Sequence, residues 1–247
     1  MTSLFLAWQA PENSAHSRAW FPIGLLDAEP NHYRFRYTGG AIKAHQDAGF
    51  VPLLAFPDFK KDYESDELFP LFMNRVLSSK RADFQEYIKW LDLDRGHADP
   101  ISILAVSGGE RVTDNLEVFP KVTSDAQGDF RVRFFLHGLR HLGDAAIRAA
   151  AQLQVGDELR ISVELNNPAT RLAVQLATCG YQTIGWAPRY LVEDLLTCLQ
   201  PAPVLSARVA RINADAAPLN QRYLIDYVGR APQGKQPMST PAFTPLS

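Results

Sequence analysis

The sequence predicts an α+β protein of two successive domains, and three observations carry that reading. Val155 to Leu199 alternates apolar and polar residues in short runs separated by turn residues, the pattern of half-buried strands. From Leu68 to Leu93, apolar residues recur instead at helical spacing. Between these stretches, Pro120 to Asp129 is polar and turn-forming, and the charge balance changes sign across it. Residues 1–125 hold 13 Lys and Arg against 18 acids, a balance of −5; residues 126–230 hold 11 Arg, no Lys and 9 acids, a balance of +2. The expected organisation is a first domain over 1–120, a linker over 121–129 and a second domain over 130–230. A tail over 231–247, rich in Pro and Thr, is expected to be disordered.

At 247 residues each half can bury its own core. A hydrophobic content of 46% with 21% charged residues is that of a soluble globular chain, and no apolar run is long enough to span a bilayer. The start, MTSLFLAWQAPEN, has neither a basic segment nor a cleavage site. Cys179 and Cys198 sit in no ligand-like cluster. The expectation is a cytoplasmic protein with free thiols and no membrane partner.

In order, Leu4 to Trp8, Arg18 to Leu26 and His32 to Tyr37 read as a small strand meander. Lys43 to Phe50 is ambiguous, and Phe56 to Ser65 is a charged, aromatic-studded loop. Leu68, Leu71, Phe72 and Val76 predict a helix over Leu68–Leu77; Phe84, Tyr87, Ile88 and Leu91 predict another over Ala82–Leu93. Ile101 to Val106 is a short buried element, and Leu116 to Phe119 a strand.

In the second half, Phe130 to His137 reads as a strand with Phe130, Val132, Phe134 and Leu136 inward and Arg131, Arg133, Phe135 and His137 outward. A cation, cation, aromatic, imidazole row suits single-stranded nucleic acid, because cations follow phosphates and aromatic faces stack bases; from the residues alone, a solvated sheet face with Phe135 packed on a neighbour is the favoured reading. A helix to Gly156 follows, then strands through Leu159, Ile161, Val163 and Leu165 and through Leu172, Val174 and Leu176, and a third short one. Pro188 opens a helix buried through Leu191, Val192, Leu195, Leu196 and Leu199.

The segments Asn167-Pro168-Ala169-Thr170, Leu172-Ala173-Val174-Gln175-Leu176 and Ile184-Gly185-Trp186-Ala187-Pro188-Arg189, with the opening Phe134 to Arg140, resemble the HIRAN domain over residues 128 to 230. The family occurs at the amino end of some repair helicases and alone in many bacterial proteins. The resemblance implies an OB-like β-barrel with two short helices and non-catalytic binding of DNA, single-stranded or at an end. The expected contact set is Arg131, Arg133, Phe135, His137, Arg140, Asn167, Arg171, Trp186 and Arg189. Arg189 beside a helix amino end suits a phosphate clamp or pairs with a local acid, and Trp186 is a stacking platform or a core plug. Family members that grip a free 3′ end carry Tyr and Asp where this chain has Ala169 and Thr170, which puts selective 3′-end capture in doubt.

Phe35-Arg36-Tyr37, the Phe-Pro-rich loop, Leu68-Phe69-Pro70-Leu71-Phe72 with Asn74-Arg75-Val76-Leu77, and Leu104-Ala105-Val106-Ser107-Gly108-Gly109 resemble the amino-terminal subdomain of HipA-type kinases over residues 1 to 120. That resemblance implies a non-catalytic domain engaging a protein partner, such as a HipA-like kinase or a repair or defence enzyme. The alternative function is a toxin–antitoxin-type interaction module docking on a separate kinase core. No Cys-x-x-Cys, paired His or Gly-rich phosphate loop is present, so no cofactor is expected and zinc enters only by family association. A less favoured reading, a metal-dependent hydrolase, would draw on the nearest carboxylate and imidazole cluster, Asp92, Asp94 and His97, which a charged helix end before Pro100 explains better.

Overall fold

A computed structural model describes residues 1–13, 18–94, 96, 98–111, 113–167, 171–198 and 204–247. The fold is α+β with two antiparallel sheets. Two compact units divide the chain: Met1–Lys89 with Leu93–Lys121 and Met238–Ser247, and Trp90–Asp92 with Val122–Pro237.

In the first unit the expected meander is β1 (Thr2–Gln9), β2 (Trp20–Glu29) and β3 (His32–Tyr37), extended by β4 (Tyr63–Ser65) and β5 (Leu116–Pro120) in the order β4-β3-β2-β1-β5. One face buries Leu4, Leu6, Ile23, Leu26, Phe35 and Tyr37 against Phe56, Phe72 and Leu104. Tyr37 is a hub: fully buried, its hydroxyl donates to Phe56 O at 2.7 Å and accepts from Leu53 N at 2.8 Å. Burial pushes that phenol up to about 12.

The ambiguous stretch after β3 is α1 (Gly39–Ala48), stopped by Gly49 in the left-handed region at φ 73°. The helix expected over Leu68–Leu77 is shorter, α2 (Pro70–Met73), because the chain tightens into i→i+3 turns as Arg75 is drawn inward. Its guanidinium, 1% exposed, donates to Gly109 O at 3.0 Å and pairs with Asp114. Next come α3 (Phe84–Trp90) and α4 (Pro100–Ser107), where Asp99 caps α4 by accepting from Ile101 N and Ser102 N.

The tail expected to be disordered is ordered over Met238–Ser247. Met238 is 3% exposed and Phe243 7% exposed, and the segment belongs to the first unit. Composition misled here because the two apolar anchors lie among Pro and Thr residues that only look like a linker.

The second unit holds β6 (Asp129–Phe135), α5 (Asp144–Ala150), β7 (Glu158–Asn167), β8 (Arg171–Ala177), β9 (Thr183–Trp186), α6 (Val192–Thr197), β10 (Leu205–Ile212) and β11 (Tyr223–Arg230). The sheet order is β6-β11-β10-β7-β8-β9. Its two ends meet where His137 and Trp186 form an antiparallel bridge, His137 N donating to Trp186 O at 3.1 Å and Trp186 N to His137 O at 2.9 Å. This seam needs two glycines. A Cβ on Gly185 would lie 2.4 Å from His137 O, and one on Gly138, whose φ is +78°, would lie 2.5 Å from Trp186 Cε3.

Two expectations fail in this sheet. Leu165 is 70% exposed rather than inward, because a bulge between Glu164 and Asn167 resets the alternation. Phe135 is 5% exposed rather than outward: at that end of β6 both faces are covered, and Phe134 and Phe135 are buried alike.

Candidate nucleic-acid interface

Leaving the seam, each chain enters a short 3₁₀ turn, Leu139–His141 after His137 and Arg189–Leu191 after Trp186. Each turn places an arginine three residues beyond the bridge, Arg140 on one side and Arg189 on the other. Their charges converge on His137. That half-buried imidazole is pushed down to about 4, first by desolvation and then by Arg189 and Arg140, so it is neutral at pH 7. Arg140 is exposed, and its Nε donates to His141 Nε2 at 3.1 Å. Arg189 is half-buried and has a contact of its own within the chain. It belongs to the 3₁₀ turn rather than to α6, so an α-helix amino end contributes less there than the sequence suggested.

Trp186 is fixed between two supports. One side of its six-membered ring lies on Gly138, and Nε1 donates to Glu164 Oε2 at 2.7 Å. Glu164 also accepts from Asn167 Nδ2 at 2.8 Å. Desolvation alone would raise this carboxyl, but bonds from Asn167, Trp186 and Gln175 outweigh it and hold Glu164 below its ordinary range, as a carboxylate. Asn167 therefore acts through Glu164: its amide is committed to orienting the acceptor that orients the indole.

The remaining expected contacts lie elsewhere. Arg131 reaches Asp226 through Nε and Nη2 at 2.5 and 2.7 Å, and Arg133 pairs with Asp92. Asp92 also accepts from Arg211 Nη1 at 3.0 Å, so the carboxylate considered for hydrolytic chemistry is occupied by two guanidiniums. Arg208 pairs with Glu158, Arg222 with Asp215 and Arg230 with Asp129. Among the described residues of 126–230, at least six arginines carry a carboxylate partner, so the positive balance there overstates the charge available to a ligand.

The side chain of Arg171, and Pro168, Ala169, Thr170, His97 and Leu199 entirely, fall outside the described residues. Glu164 and Gly185 are the site residues that sequence reading missed. For Glu164 the sequence held no local signal, because its partner Trp186 lies two strands away; for Gly185 the signal was a glycine inside a strand pattern, which marks close backbone approach.

Among the described residues no three His, Cys, Asp or Glu side chains gather as a metal site. Cys179 is exposed, with Sγ donating to Glu158 O at 3.3 Å, and Cys198 is buried, so the described thiols do not assemble a zinc donor set. No described helix is long and apolar enough to cross a membrane.

No protein-family model matches the chain, and no curated protein matches it. A crystal structure of a protein from Lactobacillus plantarum is similar over 41% of this chain and 97% of its own length, at 19% identity and a TM-score of 0.33.

Proposed function

We propose that the second unit is an OB-like barrel of the HIRAN kind that binds nucleic acid without catalysis, as single-stranded DNA or a DNA end, at the seam between β6 and β9. The observation that carries this reading is the convergence of Arg140 and Arg189 on the neutral His137, beside a Trp186 whose orientation Glu164 fixes. A phosphate seated there offsets the mutual repulsion of two guanidiniums and takes charge-assisted hydrogen bonds from both. A rigid indole at the same place gives a base a stacking surface, and stacking tolerates any sequence. The first unit, acidic in balance, engages a protein partner in this reading, and the chain is expected to work in the cytoplasm.

The test is fluorescence anisotropy of the full chain with labelled single-stranded, blunt duplex and 3′-overhang DNA across a salt series. Two phosphate contacts give a log–log salt slope of about −1.4 on single strands. Tighter binding to single-stranded or overhang DNA than to blunt duplex, with that slope, is the expected result. Equal and salt-insensitive signals on all three, or none at low salt, would sink the proposal.

A further inference from the structure

The first unit contains a groove that already holds a peptide, the chain's own residues 239–246. The segment leaves the second unit at Pro237, makes a 3₁₀ turn over Pro241–Phe243 and runs on extended. Two main-chain bonds fix it: Gly39 N donates to Thr244 O at 2.9 Å and Leu246 N to Tyr37 O at 2.9 Å, around an antiparallel bridge between Thr38 and Pro245. Phe243 is the anchor, its ring edge-on to Phe5 at 5.0 Å. Beyond it, Ser247 Oγ donates to Asp62, and Arg36 Nη1 donates to Ser247 O at 3.2 Å.

Gly39 and Gly40 make the floor. A Cβ on Gly39 would lie 2.2 Å from Pro241 O, and its other near neighbours, Pro241 C and Ala242 Cα, also belong to the segment. The three atoms nearest a side chain at position 39 would all belong to the occupant, so the glycine there makes room for it. The fit is also imperfect, since Thr240 Oγ1 is buried without a hydrogen-bond partner, a loss that a better ligand would avoid. Strand-edge addition with an aromatic anchor between prolines is a mode by which domains take short linear segments, because proline keeps the free peptide extended.

We propose that this groove, formed by the end of β3, the start of α1 and Phe5, is a docking site for extended peptides that carry an aromatic residue between two prolines. Residues 239–246 are its resident occupant, displaced when such a segment of a partner protein competes. The inference deepens the reading of the first unit as a protein-interaction domain and is independent of nucleic-acid binding by the second. A resident segment competes at a millimolar effective concentration, so weakening it unmasks the groove.

The experiment combines hydrogen exchange of the full chain with anisotropy of a labelled peptide of residues 238–247, in wild type, Phe243→Ala and Phe243→Ala with Gly39→Ala. Phe243→Ala is expected to release protection at Gly39 and Leu246 and to bind the peptide at least tenfold tighter than wild type, while adding Gly39→Ala abolishes binding and leaves β1–β3 protected. A peptide with its phenylalanine changed to alanine is expected to stay free. No peptide binding by a chain whose segment is released, or binding indifferent to Gly39→Ala, overturns the proposal. If Phe243→Ala also loosens β1–β3, wild type with unlabelled peptide in millimolar excess decides: loss of Leu246 protection supports displacement, and unchanged protection overturns it. DNA binding, measured on the same chains, keeps this outcome separate from the fate of the barrel reading.

Discussion

The arginines on the outer face of β6 and those at the seam look alike in sequence and are placed by different parts of the fold. Arg131 and Arg133 alternate along one strand, the arrangement expected of a phosphate-tracking face, yet each meets a carboxylate, Asp226 and Asp92. Arg140 and Arg189 lie 49 residues apart, on separate turns three residues beyond a bridge that strand alternation does not reveal, and both act on His137. An alternating cation pattern therefore reports exposure, not availability. Which acid a sheet cation meets depends on register and on neighbouring loops: Arg131, opposite Val228, reaches Asp226 diagonally, while Arg133, opposite Asp226, pairs with Asp92.

Breaking the seam tests the comparison most severely. Gly185→Ala drives a Cβ against His137 O and is expected to cost about 1–3 kcal/mol of second-unit stability, the range of overpacking. Thermal unfolding should show it, with DNA binding lost in parallel; an unchanged midpoint would mean that the sheet ends need not meet. Next in size, Arg189→Ala and Arg140→Ala should each weaken single-stranded DNA binding about tenfold, the equivalent of about 1.4 kcal/mol. Arg131→Ala should change it less than about twofold and cost at most about 1 kcal/mol of stability, as exposed ion pairs do.

Glu164→Ala sharpens the account of the indole. It removes the acceptor of Trp186 Nε1 and Asn167 Nδ2, and a loss of about threefold in affinity is expected, with a shift in tryptophan emission. Affinity loss without an emission shift would leave Trp186 outside the effect.

pH tests the seam through both stability and affinity. His137 binds its proton less readily in the folded chain than in the unfolded one, so its contribution to stability is full above about 6.5 and is lost as pH falls toward about 4. In that window the slope reaches at most about 1.4 kcal/mol per pH unit, and His137→Gln should flatten it. A phosphate between the arginines offsets their charge and raises His137, so binding takes up a proton. Affinity should therefore rise about two- to threefold from pH 7.5 to 5.5 in wild type, and not in His137→Gln.

Much of the fold was readable because period-2 and helical patterns survive wherever one face is buried. The meander of β1 to β3, the strands β7 and β8 and the turn into α6 followed from local spacing and punctuation. The failures share one cause, partners distant in sequence. Phe135 is buried at a point where β6 is covered on both faces, Leu165 is turned out by a bulge, and Phe243 finds Phe5 across nearly the whole chain. At the site, Arg140, Trp186 and Arg189 were identifiable as residue types beside turns, but Glu164 as the support of Trp186 was not. A carboxylate in an alternating strand reads as solvent-facing until the indole two strands away that donates to it is seen.

The most direct measurement is the affinity of the full chain for one labelled single strand at two salt concentrations, in wild type, Arg189→Ala and Arg131→Ala side by side. The account predicts salt-sensitive binding that Arg189→Ala weakens about tenfold and Arg131→Ala leaves within about twofold. Equal losses in the two variants, or a larger loss in Arg131→Ala, would contradict it and move the interface from the seam to the outer face of β6.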